Sequence, residues 1–503
     1  VSAIENAWQE TVTAAILGAA RRPPPALPPG LPEAEPTLQA PRLLLRNAAI
    51  LAHYRRCGQM PGKASLPAPA ACPADELPPC SPNAAARLLA LTQSSYQELL
   101  SEWLNLAAAR QKRLPPEHLP VLLDWGEKHL AHIGPLLTVI GQRGRWLAAQ
   151  NPAWEHIALT ARMETLQPGD VQPIWQTGGR RARRYLLNSL RAAAPAAARD
   201  LLLTTWNEEP AEYRADFLAT FKNNLSMQDE PFLETVLDDR SAEVRQAAVD
   251  LLVCLAGSRL VERQLQRALS YVQWKPGGFL RQPRLEIALP ESCTPEMRRD
   301  GVRPDKTIRS FGPKAEWLYQ ILAAVPPSTW CRMWNQTPAG LLQVIQQEDW
   351  QDVCYEAWIV ATLRHQDAAW AETILPRDPL RSRLLQVLPP ERQEPFLIAQ
   401  CQAHPMTGMH MLSGYAHPWS EPLARLALTH LRTFCQADGR LTTPGWLQEM
   451  FRGVGRHLSP TLSNELVAKL VGPTEPGSDW EQALNDLLDL LDFRRQMSEE
   501  LNT

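Results

Sequence analysis

The chain is 503 residues long, more than one globular core usually holds, so several domains or one quasi-linear helical array are expected. Its 51 Lys and Arg against 54 Asp and Glu leave a net charge of -3, which argues against a polybasic nucleic-acid coat and against an acidic solvating tail. Nine Cys, an odd count with no C-x-x-C, argue against a disulfide framework or a zinc ribbon.

Along the chain, Trp8, Val12, Ala15, Ile16 and Ala19 recur at helical spacing, which predicts an amphipathic first helix rather than a signal peptide. Two Pro-rich stretches, Pro23 to Pro41 and Pro61 to Pro82, read as extended spacers. Between them Leu43 to Arg56 predicts one helix, with Leu44, Asn47, Ala48 and Leu51 on one face. From Asn83 onward helix follows helix: Ala84 to Leu91, Tyr96 to Arg113, Pro120 to Leu130, Gly134 to Gln150 and Trp154 to Leu166. Asp229 to Leu237 opens with acidic residues and Pro231, as helix starts prefer, and offers Phe232, Leu233, Val236 and Leu237 for burial. The next helix carries Val244, Ala247, Ala248, Leu251, Leu252 and Leu255 as a single stripe. Trp274 to Lys314 breaks the pattern and holds one short extended candidate, Arg284 to Leu289. Helices resume from Ala315, and Trp480 to Met497 closes the sequence.

The tight turn with Asp238 and Asp239, followed by Val244-Arg245 and a small-residue stripe, has the form of the second helix of a HEAT-type repeat. Arg199 and Arg245 stand 46 residues apart, within the period of such repeats. The expected fold is therefore all-α, a HEAT- or armadillo-like α-solenoid of stacked helix pairs with Pro-rich spacers and one non-helical insertion. Its expected organisation is 1–60 for the N-terminal helices and first linker, 61–82 for the second linker, 83–273 and 315–503 for helical repeats, and 274–314 for the insertion. No run reaches the roughly 18 to 20 apolar residues that span a bilayer, and with reduced thiols and no export signal a cytoplasmic protein is expected.

Particular runs resemble an uncharacterised bacterial family of helical proteins, a domain of unknown function. They are Trp175 with Gly178-Gly179-Arg180 and Arg183; Leu190-Arg191 with Pro195 to Arg199; Trp206, Glu209-Pro210 and Arg214; and Asp229 to Glu234 with Leu237 to Arg240 and Glu243 to Arg245. Phe311-Gly312-Pro313 with Trp317, and Trp419 to Arg425, extend the likeness, which runs from Ala14 to about Arg432. The resemblance implies a context: genes beside those of MoxR-type AAA+ ATPases, von Willebrand A-domain proteins and SWIM zinc-finger proteins. It implies no catalytic residue.

Chemistry is not nominated by the residues themselves. There is no G-x-x-x-x-G-K-[ST], no G-x-S-x-G and no H-E-x-x-H. His129 with His132, His404 with His410 and His417, and Cys57 with Cys72 and Cys80 lack metal-site spacing or acidic companions. No catalytic, cofactor or metal residue is therefore expected. The 17 Trp are expected to anchor helix pairs. Arg180, Arg181, Arg183 and Arg184 form a cluster that suits an acidic partner or phosphate, although ion-pair donation to the next helix pair is favoured.

The resulting reading is a non-enzymatic solenoid scaffold for protein partners, a MoxR-type AAA+ ATPase or a von Willebrand A-domain protein by the resemblance. Its candidate partner-binding residues are Asp238, Asp239, Arg240, Glu243 and Arg245 at a repeat turn, with Arg180, Arg181, Arg183 and Arg184. The alternative is a nucleic-acid-binding HEAT-like protein or a DNA-base-acting enzyme, which a continuous Arg-rich stripe with aromatic residues would mark.

Overall fold

A computed structural model describes residues 3–32, 34, 37–57, 70–93, 99–278, 282–305, 309, 311–346, 348–412, 414–415, 417–437, 445–459, 464–472 and 479–502. The chain divides into two compact units, 1–71 and 72–503. It is all-α: among the described residues the only sheet is a two-stranded ribbon.

In the first unit, helix Ala3–Leu17 packs on helix Ala40–Cys57. The face that the first helix buries is Ala7, Thr11 and Ala14, not the larger stripe that the spacing predicts; Ile16 is 78% exposed. Small side chains let the helices approach closely, which a row of Trp, Val and Ile would prevent. On the second helix Asn47 and Leu51 are buried as expected. The first Pro-rich stretch is tied to that helix, because Asn47 Nδ2 donates to the Pro25 carbonyl at 2.9 Å and Arg46 Nη2 to that of Pro32 at 2.7 Å. Arg55 closes the unit from the helix end, pairing with Glu5 at 3.2 Å and lying over the Trp8 ring.

In the second unit successive helices pack mainly on their chain neighbours, giving a solenoid-like stack. Pro82–Gln93, Leu100–Ala109, Leu119–Gly126, Ile133–Gln150 and Glu155–Glu164 correspond to the helices read from spacing. Ile133–Gln150 is not continuous, however: Gly141 breaks it at φ 61°. The Asp75 carboxylate there accepts from the Gln142 amide at 2.5 Å, satisfying an orphan donor of the restarted helix. The end of the second Pro-rich stretch is therefore docked structure. The Cys80 amide donates to the Arg113 carbonyl, the Arg113 amide donates to the Pro78 carbonyl, and Arg113 Nε donates to the Leu77 carbonyl. Residues 61–69 of that stretch lie outside the described residues.

Three apolar clusters follow one another along this unit. The first runs from Cys80 to Ile157 and takes in part of the last helix, the second runs from Met163 to Leu260 with Ala324, and the third from Ala268 onward. The stripe Val244, Ala248, Leu251, Leu252 and Leu255 is buried in the second, with Ala247 half-buried beside it. Trp103, Trp330, Trp358 and Trp370 are completely buried. Residues 274–314 contribute the ribbon, in which Val272–Lys275 pairs antiparallel with Arg284–Ile287, and a short helix, Pro295–Arg299.

The stack closes on itself. Helix Asp479–Asn502 gives Trp480, Ala483, Leu484, Leu487 and Leu491 to the third cluster, and Leu490, Met497 and Leu501 to the first. Arg87 holds Glu500 with two contacts of 2.6 Å, Arg494 holds Glu102 at 2.8 and 2.9 Å, and Ser81 Oγ donates to the Glu500 carbonyl at 2.8 Å. Arg494 also caps the end of helix Gly445–His457 by donating to the Gly455 and Leu458 carbonyls.

Candidate interaction surface

Gly178 and Gly179 lead into helix Arg180–Ala193. The Gly178 amide bonds back to the Ile174 carbonyl at 2.9 Å, and a Cβ at Gly178 would collide with that oxygen. The sharp turn sets the four arginines at the start of a fresh helix, where they diverge by the helical step.

Arg183 turns inward. Its guanidinium lies 4.1 Å from the Trp175 ring centre, pairs with the buried Glu209 through both nitrogens and donates to Thr205 Oγ1 at 3.1 Å. Arg180 spans Asp216 at 2.7 Å and Glu212, and Asp216 foremost raises its pKa above the ordinary value. Arg181 reaches back to Glu155 at 2.5 Å, and Arg184 lies 3.5 Å from Asp216. All four are ion-pair donors to neighbouring helices, the structural role that their sequence context favours.

Arg180, Arg181 and Arg184 share a groove of about 530 Å³ with Tyr185, Asn188 and Asp216, and Leu130, His156, Ala219 and Thr220 complete its lining. His156 Nδ1 is held by Glu127. Tyr185 is half-buried, and burial raises its pKa.

Asp238, Asp239, Arg240, Glu243 and Arg245 do not line this groove. The Asp239 carboxylate is buried against Arg214 of helix Ala211–Leu218 at 2.8 Å and accepts from the Ser241 amide, while Arg245 donates to the Asp239 and Arg240 carbonyls instead of the Asp239 carboxylate. Asp238 is exposed and paired bidentately with Arg299, whose guanidinium holds its carboxyl below the usual range. The side chains of Arg240 and Glu243 are exposed.

Several charged residues that sequence reasoning passed over matter more. Arg191 and Asp229 form a completely buried bidentate pair at 3.0 and 2.9 Å. Arg191 also donates to the Pro195, Asn223 and Asn224 carbonyls, so nearly every donor of the fork is used. Next to it runs a ladder: Glu230 with Arg259, and Glu234 with Arg263. The buried Asp300 then accepts from Arg263 at 2.6 Å and Arg267 at 2.5 Å, docking the 274–314 segment on the stack. Arg259, Arg263 and Arg267 are four residues apart, as are Glu230, Glu234 and Asp238, a signal that the sequence already carried.

Among the described residues no group of three or more His, Cys, Asp or Glu is gathered to hold a metal ion. His129 and His132 both stack on Trp125. No described helix is long and apolar enough to cross a membrane.

An all-α stack with a polar groove across adjoining helices is the class of protein that these elements define. Residues 10–501 match the family of unknown function DUF5691, and the chain belongs to that family. No curated protein and no solved structure matches it.

Proposed function

We propose that the chain is a non-enzymatic helical scaffold that binds protein partners, one of them a MoxR-type AAA+ ATPase or a von Willebrand A-domain protein, as the sequence resemblance implies. The observation that supports this most is the groove, which draws residues from three successive parts of the stack onto one face of helix Arg180–Ala193. Faces shared between stacked helices are the usual protein-binding surfaces of such folds. The nucleic-acid alternative is less well supported. Glu155, Glu209, Glu212 and Asp216 stand among the arginines and interrupt the continuous Arg-rich stripe that a phosphate backbone would follow.

The test is recovery on the tagged protein from a lysate of its native host, with and without ATP, followed by co-elution with the purified candidates. Nucleotide-dependent recovery of either candidate supports the scaffold. Recovery of nucleic acid with neither protein overturns it.

A further inference from the structure

The four arginines of the row are not equally occupied. Arg183 is inside, and Arg180 has two carboxylates. Arg181 and Arg184 are 57% and 53% exposed, and among the described residues each pairs with a single carboxylate. The partner of Arg181, Glu155, is itself well exposed. The partner of Arg184, Asp216, sits at 3.5 Å and is already taken by Arg180 at 2.7 Å. Exposed pairs of this kind contribute little to stability, so exchanging an internal carboxylate for an external one costs little. Three residues apart on one helix, the two guanidiniums face the same side, and each offers a planar fork for a carboxylate.

The remainder of the groove narrows the chemistry. Leu130, 44% exposed, and the ring of Tyr185 supply apolar contact beside the cations. His156 also lines the groove, and with Nδ1 on Glu127 no hydrogen bond holds its Nε2 among the described residues. Asp216 and the nearby Glu212 and Glu155 repel an unbroken run of phosphates but tolerate carboxylates that are spaced apart. The volume of about 530 Å³ suits a few residues of an extended segment.

We propose that this groove is the docking site for a short acidic segment of a protein partner, with two Asp or Glu side chains received by Arg181 and Arg184 and an apolar residue between them set against Leu130 and Tyr185. This rests on the scaffold reading and names the chemistry that the partner must present.

The test uses the full chain and a fluorescein-labelled peptide of alternating Asp and Leu, read by anisotropy. A peptide of alternating Lys and Leu and a labelled single-stranded oligonucleotide serve as contrasts. Saturable binding of the acidic peptide alone is expected. It should weaken at least about tenfold in the Arg181→Gln/Arg184→Gln double variant, and weaken in the native protein as salt rises from 50 to 300 mM, as screening of exposed charges requires. Because both residues are exposed, the variant should keep the thermal midpoint of the native protein. Equal binding by the native and variant proteins, or no binding of the acidic peptide, overturns the assignment, as does tighter binding of the oligonucleotide. A variant that still recovers the ATPase or the von Willebrand A-domain protein also overturns it, while leaving the scaffold reading standing. Loss of both together supports it.

Discussion

Two stretches of the second unit join their helices by different chemistry. From Trp175 to Asp300 arginines reach buried carboxylates, Arg183 with Glu209, Arg191 with Asp229, Arg214 with Asp239, and Arg263 with Asp300, beside aromatic contacts such as Trp206 on Phe232. From Pro313 to Leu431 the fully buried joint is aromatic, Trp358 edge-on to Trp370 at 4.9 Å, with the Trp330–Trp334 stack at 4.8 Å inside helix Pro327–Trp334. The ion pairs of Arg381 with Glu356 and Arg392 with Glu372 there are partly exposed. An indole supplies area in any close-packed arrangement, and the buried N–H groups of Trp330 and Trp358 have no acceptor among the described residues. A guanidinium fork accepts one geometry, so the first stretch is specified in register and the second in volume. The two joints should fail in different ways.

The largest effect is expected for Asp229→Ala, which leaves Arg191 charged and buried and should cost about 3–5 kcal/mol in urea unfolding. Replacing the pair together, Arg191→Met with Asp229→Leu, should recover much of that loss, because no charge is then stranded. If the double variant is as unstable as the single one, the joint is shape and not charge. Trp358→Ala should cost about 3 kcal/mol or more through the cavity that it opens, with no dependence on salt. A strong salt dependence would erase the contrast between the stretches.

Acid should find the first stretch sooner. Arg259 foremost holds the Glu230 carboxyl below its ordinary value of 4.5. Since the folded value is the lower one, the stabilisation is fully present above pH 4.5 and disappears as pH falls through the lowered value. Glu230→Gln should flatten the stability curve below pH 4.5, and an unchanged slope would show that the pair is not coupled to folding. The smallest effect is expected at Asp238, 64% exposed against Arg299. Asp238→Asn should change stability by less than about 1 kcal/mol, and less again in high salt. A larger loss would mean that this contact helps to anchor the 274–314 segment.

The helices themselves were legible because an apolar stripe at three- and four-residue steps is a local signal, as in Val244 to Leu255. The structural role of Arg180 to Arg184 was legible for a similar reason, since a solenoid places the next helix within reach. On the first helix hydrophobic spacing points to Trp8, Val12 and Ile16, whereas the face that is buried carries the smaller Ala7, Thr11 and Ala14. The break at Gly141 depends on Asp75, and the closing contact joins Arg87 to Glu500; neither leaves any period in the sequence. Burial of Arg191 was hidden in the same way, because its carboxylate lies on a different helix pair.

The meeting of Arg494 with Glu102 and of Ser81 with Glu500 also limits how such a chain can evolve. An open array gains or loses a unit at either end, and its neighbours hardly register the change. Here a duplicated helix pair anywhere between residues 110 and 478 would advance one rim of the seam by a full step, carrying Arg494 past Glu102. Change of length in this chain is thus expected in excursions that leave the stack, such as the 274–314 segment, and not in the number of its stacked helices.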